Sequence, residues 1–243
     1  MTQVSLKVAT FVYDEPALAA LENSLSAERL TPYLDLAEKD RAYAIRLYEW
    51  NTRISESLYS LTQGLEITLR NRVNRVLCEA FAQENWWDIC ALATKQVSDI
   101  DEATKRIYYD GYDPVPNRIV AELMFGFWVS LFGTDYAQQV FDKHLWKCFP
   151  ARRMGRKHVA KTLRKVRFLR NRVAHHESVI GKVGQERDLR KDVQSIIQLI
   201  YSICPITAKW VTANSSFDYQ YDNRPTKPPI AELFPETTPH SRS

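Results

Sequence analysis

Apolar residues recur at helical spacing from about Asp40 to Ala82. Leu47, Trp50, Ile54, Leu58, Leu61, Leu65, Leu69, Val73 and Leu77 follow one another at steps of three or four, which puts them on one face of an α-helix. No proline interrupts the stretch, so the pattern predicts one long helix, with Ser55 and Gly64 as the places where it could bend. After "ENWWD" a second helical pattern runs from Lys95 to Tyr109 and ends at "DGYDPVPN". Helices are then expected over Arg118 to Phe132 and Tyr136 to Cys148, separated by "GTD", and "CFPARRMG" reads as a loop. Two more are predicted over Lys157 to Ala174 and Gln185 to Cys204, the latter stopped by Pro205.

The ends of the chain carry weaker patterns. The first thirty residues read as irregular with one short helix. Beyond Asn214, Pro225, Pro228, Pro229, Pro235 and Pro239 break any periodicity, which predicts an extended strap or a loose end. No run alternates in the way strands do. The expected fold is all-α: one helical domain over residues 1–213 and a Pro-rich tail over 214–243.

Composition narrows the class only a little. A chain of 243 residues, 45% of them hydrophobic, can bury a core as a single domain. Cys78, Cys90, Cys148 and Cys204 form no CxxC pair, which argues against a zinc knuckle or a disulfide framework and for a reducing compartment. The opening "MTQVSLKVATFVYDEP" has no secretory pattern, and "IVAELMFGFWVSLFG" is short for a membrane span and carries Glu122. A soluble, cytoplasmic protein with no membrane partner is expected.

Charge distribution says more than the net charge of +4. Between Ala151 and His176 there are ten Lys or Arg residues and no Asp or Glu, and three of the five histidines (His158, His175 and His176) fall there too. Such a block is either a solvated helix face or a field that attracts polyanions, chiefly nucleic acid. Contacts from it would be directed at phosphates and indifferent to sequence. Lys161, Arg164, Arg167, Arg172 and His176 are the candidate RNA-binding residues.

Helical phase singles out one arginine within the block. Val159, Leu163, Val166, Leu169 and Val173 form the apolar stripe of the basic helix. At 100° per residue, Arg170 lies about 40° from the centre of that stripe, and Asn171 and His175, four apart, share a flank. A guanidinium on a core-facing stripe must be paired, with Glu66 a candidate partner, or must line a crevice that a phosphate can enter. Arginine and histidine without a metal cluster suit phosphodiester transfer on RNA. The ribose 2′-hydroxyl is the nucleophile, a histidine moves the proton, and an arginine holds two phosphate oxygens. Arg170, Asn171 and His175 are therefore the candidate catalytic residues. No HExxH, Walker loop, GxSxG or paired-carboxylate metal site is present, and no cofactor or metal is expected.

The pentapeptide "LRNRV" occurs at Leu69–Val73 and again at Leu169–Val173. Between positions 61–80 and 161–180 only Thr62 and Thr162 match outside it, so chance explains the repeat better than duplication. Arg75 stands where the second copy has His175.

The string Arg170-Asn171-x-x-x-His175, near the end of a basic helix in an all-α chain, resembles the motif of the HEPN superfamily of ribonucleases. "RLYEWNTRISESLYSLTQGLEITLRNRV", "ELMFGFWVSLF" and "RFLRNRVAHHESVI" look like the three blocks of its Abi-like, abortive-infection branch. The resemblance spans roughly residues 25 to 205. It implies a HEPN-like helical bundle and a homodimer with two Arg/His motifs facing one cleft. It further implies metal-independent RNA cleavage leaving a 2′,3′-cyclic phosphate, and a role in phage defence or as a regulated toxin. Any restraining antitoxin, whether RNA or protein, is not specified by these residues. "GFW" (Gly126 to Trp128) reads as packing rather than binding. Two other readings stay open: a non-catalytic RNA-binding or regulatory module on the same fold, and a helical scaffold in which Arg170 is merely ion-paired.

Overall fold

The computed structural model describes residues 11–227. That part of the chain is 72% helical, and its only strands are two of two residues each, so the fold is all-α among the described residues. Helix α3 (Arg41–Phe81) is the spine. It starts where the Asp40 side chain accepts the Tyr43 N–H at 2.9 Å, and ends where Ala82 turns left-handed at φ 53°. Every residue of the predicted apolar stripe is buried along it.

The other helices lie around this spine: α1 (Glu15–Leu25), α2 (Ala27–Leu36), α4 (Thr94–Tyr109), α5 (Pro116–Glu122), α6 (Phe125–Ser130), α7 (Arg156–Ala174), α8 (Leu189–Ile203), α9 (Pro205–Ala213) and α10 (Phe217–Asp222). Helices α3 and α7 pack directly against each other, and the Val159–Val173 stripe is buried in the shared core. At Gly64 the α9 residue Val211 packs directly against α3. A Cβ there would sit 2.9 Å from Cγ2 of Val211, a β-branched side chain with little freedom to move. Gly64→Ala is therefore expected to destabilise the protein, although alanine in a helix interior is favoured over glycine by about 1 kcal/mol. In the Val211→Ala background the same change should stabilise, and paired urea titrations would read the difference in sign.

Several expectations from periodicity are corrected. The irregular N-terminal region holds two helices, α1 and α2, separated by Ser26 at φ 70°; the Asp14 side chain accepts the Ala17 N–H, and that of Ser26 accepts the Arg29 N–H. The segment expected as one helix over Arg118–Phe132 is α5 and α6, broken at Leu123 and Met124. Apolar residues from Ile119 to Phe132 surround the axis rather than lining one face, and the break lets both halves reach the core. The segment expected as a helix over Tyr136–Cys148 is a series of tight and wide turns instead. Tyr136 and Phe141, five apart, bracket a π-turn, while Leu145 and Cys148, three apart, bracket a 3-10 turn.

The helix expected from Gln185 begins only at Leu189. A hairpin precedes it, with β1 (Gly181–Lys182) paired antiparallel to β2 (Gln185–Glu186). Gly181, at φ 102°, has the Gln185 carbonyl oxygen 2.6 Å from where a Cβ would lie, so a side chain has no room there. Pro205 ends α8 as expected, but it also serves as the first residue of α9, since that position needs no N–H partner.

The start of the expected tail is a packed strap. Phe217 of α10 is buried, Trp50 Nε1 donates to the Gln220 carbonyl at 2.6 Å, and Lys227 pairs with Glu38 at 2.6 Å. The remainder of that tail, 228–243, lies outside the described residues. No described helix is long and apolar enough to cross a membrane.

Candidate functional site

Helix α7 ends at the motif singled out by its spacing. Its hydrogen bonding runs on for one residue, with the His175 N–H donating to the Asn171 carbonyl at 2.9 Å. His176 then takes a left-handed conformation, φ 56°, and reverses the chain. Four contacts fix that reversal, two from other elements and two from Arg172 of α7 itself. Arg29 of α2 donates to the His176 carbonyl at 2.6 Å. Arg172 donates through Nε to the Ser178 carbonyl at 2.7 Å and pairs with Glu177 at 3.2 Å. In the core, the Asn51 side-chain oxygen accepts the Val179 N–H at 2.9 Å. His175 itself stays exposed, on a turn held from both sides.

Arg170 is half-buried, as its phase on the stripe requires. Its Nε lies 3.5 Å from Glu66 Oε2, with the two side chains 27% and 21% exposed. On its other side opens a groove of 420 Å³ between α7, α6 and α4. Arg167, Arg170 and Asn171 form one wall, Gly126 lies beside Arg167 (whose Nη1 is 3.9 Å from the glycine's Cβ position), and Lys95, Asp99 and Arg106 face them from α4. On α4 Lys95 pairs with Asp99 at 2.9 Å and Arg106 with Glu122 at 2.6 Å, while Glu102 lines the groove with no cation within ion-pair distance among the described residues. Among the described residues Arg167 has no carboxylate within ion-pair distance. An anion entering the groove would meet Arg167 on one wall, and Arg170 once it is released from Glu66.

The structure distributes the candidate residues unevenly. Arg170, Asn171 and His175 share the last two turns of α7 and its cap; Arg170 and Asn171 line the groove, and His175 stands one turn beyond its lining. Lys161 and Arg164 line a different groove beside the hairpin. Arg172 is occupied with the chain reversal. His176 lines two further depressions, one against α3 and one against α2. Phe127 and Trp128 are core residues, while Gly126 borders the groove. Among the described residues no three His, Cys, Asp or Glu side chains converge as a metal site.

Sequence periodicity did not reveal the α4 wall or the anchors Asn51 and Arg29. Asn51 carried a signal, because it is an amide among the buried positions of α3, and a buried amide needs a partner.

A helical protein whose basic helix ends in an arginine, an asparagine and an exposed histidine is the class that fold and site define. The family model described as Abi-like protein matches residues 32–181, and the chain belongs to that family. No curated protein and no solved structure matches it.

Proposed function

We propose that this protein is a metal-independent endoribonuclease of the abortive-infection kind. It acts as a two-fold homodimer in which Arg170, Asn171 and His175 of both copies line one basic cleft. The observation that carries the reading is the end of α7, where a half-buried arginine, an exposed asparagine and an exposed histidine sit together beside a groove. Membership of the Abi-like family supports the setting.

In this mechanism one His175 takes the proton of the ribose 2′-hydroxyl, whose oxygen attacks the adjacent phosphorus. Arg170 holds the non-bridging oxygens as charge builds on them. The bond to the 5′-oxygen breaks, and that oxygen is protonated by the partner's His175. The products are a 2′,3′-cyclic phosphate and a 5′-hydroxyl. One motif supplies one clamp and one proton carrier, and an isologous contact supplies the second set from the same residues. The Glu66 contact is no obstacle, because a part-exposed pair of this length contributes little and a phosphate can displace it.

A second reading, a non-catalytic RNA-binding module, draws on that same contact, which occupies Arg170 in the absence of RNA. Incubating labelled RNA with the protein in EDTA separates the two. The nuclease yields fragments ending in cyclic phosphate, whereas the binding module retards the RNA and leaves it intact.

A further inference from the structure

Helix α7 has another polar face that the Arg170 site does not use. Lys161, Arg164, Lys165, Phe168 and Arg172 succeed one another at steps of three or four, or sit side by side, so they share one side of the helix. Phe168 is two residues before Arg170, which turns it about 200° away around the helix axis. This face borders a groove of 570 Å³ next to the β1–β2 hairpin. Four cations line it, Lys161, Arg164, Lys165 and Arg187, against one carboxylate, Asp192.

Phe168 lies among these charges and is 52% exposed. Two guanidiniums flank its ring, with Arg187 Cζ at 5.0 Å and Arg172 Cζ at 5.6 Å from the centroid. Each is restrained at its far side, Arg172 by the Ser178 carbonyl and Arg187 by Asp192 at 3.4 Å. The ring is therefore held between restrained cations while the residue as a whole stays exposed to solvent. Among the described residues no carboxylate lies within ion-pair distance of Lys161, Arg164 or Lys165. A fixed aromatic surface bordered by unpaired cations matches what an unpaired nucleotide presents, a flat base joined to a phosphate.

We propose that this groove is a platform for single-stranded nucleic acid. A base stacks on Phe168, and the phosphates of the same strand run along Lys161, Arg164 and Lys165. The platform deepens the RNA-handling reading and rests on it, but it does not depend on cleavage. An acidic peptide could satisfy the cations but would give the ring nothing to stack on, and a duplex keeps its bases inside the helix. Strands with unpaired segments are thus the substrate class that the groove selects.

The test uses the full chain in EDTA with three probes: a single-stranded oligoribonucleotide carrying 2-aminopurine, the matching duplex, and heparin, a polyanion without bases. Wild type should bind the single strand more tightly than the duplex and quench the 2-aminopurine fluorescence. Phe168→Ala should weaken single-strand binding about tenfold or more and abolish the quenching, leaving heparin affinity unchanged. Phe168→Trp should keep both, and because the residue is exposed each variant should retain the wild-type circular dichroism. If wild type binds the single strand but Phe168→Ala binds it equally well, the platform is wrong and the RNA-handling reading stands. The platform is equally wrong if the heparin affinity of Phe168→Ala falls in parallel. If wild type binds no oligonucleotide at all, the RNA-handling reading fails and takes the platform with it.

Discussion

His175→Ala is expected to abolish RNA cleavage in EDTA while leaving the fold and the affinity for RNA intact. A positioned proton carrier contributes roughly a hundred- to ten-thousandfold to such a reaction, and in the proposed composite cleft one substitution removes that group from both copies. The residue sits exposed on a cap that its backbone, not its imidazole, holds together, so its truncation leaves no buried partner unsatisfied. Arg170→Ala should lose both rate and some binding, because in the proposed mechanism the guanidinium clamps phosphate in the ground state as well as in the transition state. Arg170→Lys should restore part of the binding but little of the rate, since an ammonium cannot span two oxygens. Single-turnover cleavage beside a binding isotherm separates these effects. Sedimentation as a monomer both alone and with RNA would sink the composite site, as would a dimer holding its two His175 side chains on opposite sides.

Trp86→Ala should produce the largest loss of stability. This side chain is fully buried in a short turn after α3, edge-on to Trp87 and tilted against Phe127 and Trp128. Its Nε1–H donates to the Asn74 side-chain oxygen at 2.9 Å. Removing a buried aromatic of this kind costs about 3–5 kcal/mol through lost burial and the cavity left behind, and here an amide of α3 loses its donor as well. For a chain of this length about 10 °C in Tm is the expected drop. Trp86→Phe should lose only part of it, because a six-membered ring still fills much of the site, although the hydrogen bond and the rest of the indole are gone. A drop of less than about 3 °C for the alanine variant, the shift that roughly 1 kcal/mol produces, would mean that α6 does not depend on this contact.

How far the sequence could be read follows from how each segment is buried. The long helix and the basic helix show one apolar face each, and their boundaries fall within a residue or two of the expected ones. The segment Arg118–Cys148 defeated periodicity because nearly all of its large apolar side chains, Met124 and Trp146 excepted, are buried. A chain surrounded by core carries no amphipathic signal, and its breaks are set by neighbours that a local window does not contain. At the site, the phase of α7 gave Arg170 its half-buried position. The wall from α4, and the Asn51 and Arg29 contacts that hold the reversal at His176, depend on residues far apart in sequence. A spacing rule does not reach them.

The length of α3 has a consequence for how the molecule can come apart. At 1.5 Å per residue its 41 residues extend about 60 Å, and α2, α7, α8, α9 and α10 all rest on it. These helices share one main cluster of buried residues, which favours their melting together, while α1 and α2 also enclose a smaller cluster of their own around Leu18, Leu30 and Ile45. Loss of the middle of α3 removes the support of the α7 terminus and of the C-terminal helices together. The turn carrying His175 is tied to α3 through the Asn51–Val179 hydrogen bond, so opening of that part of α3 also releases the turn's anchor.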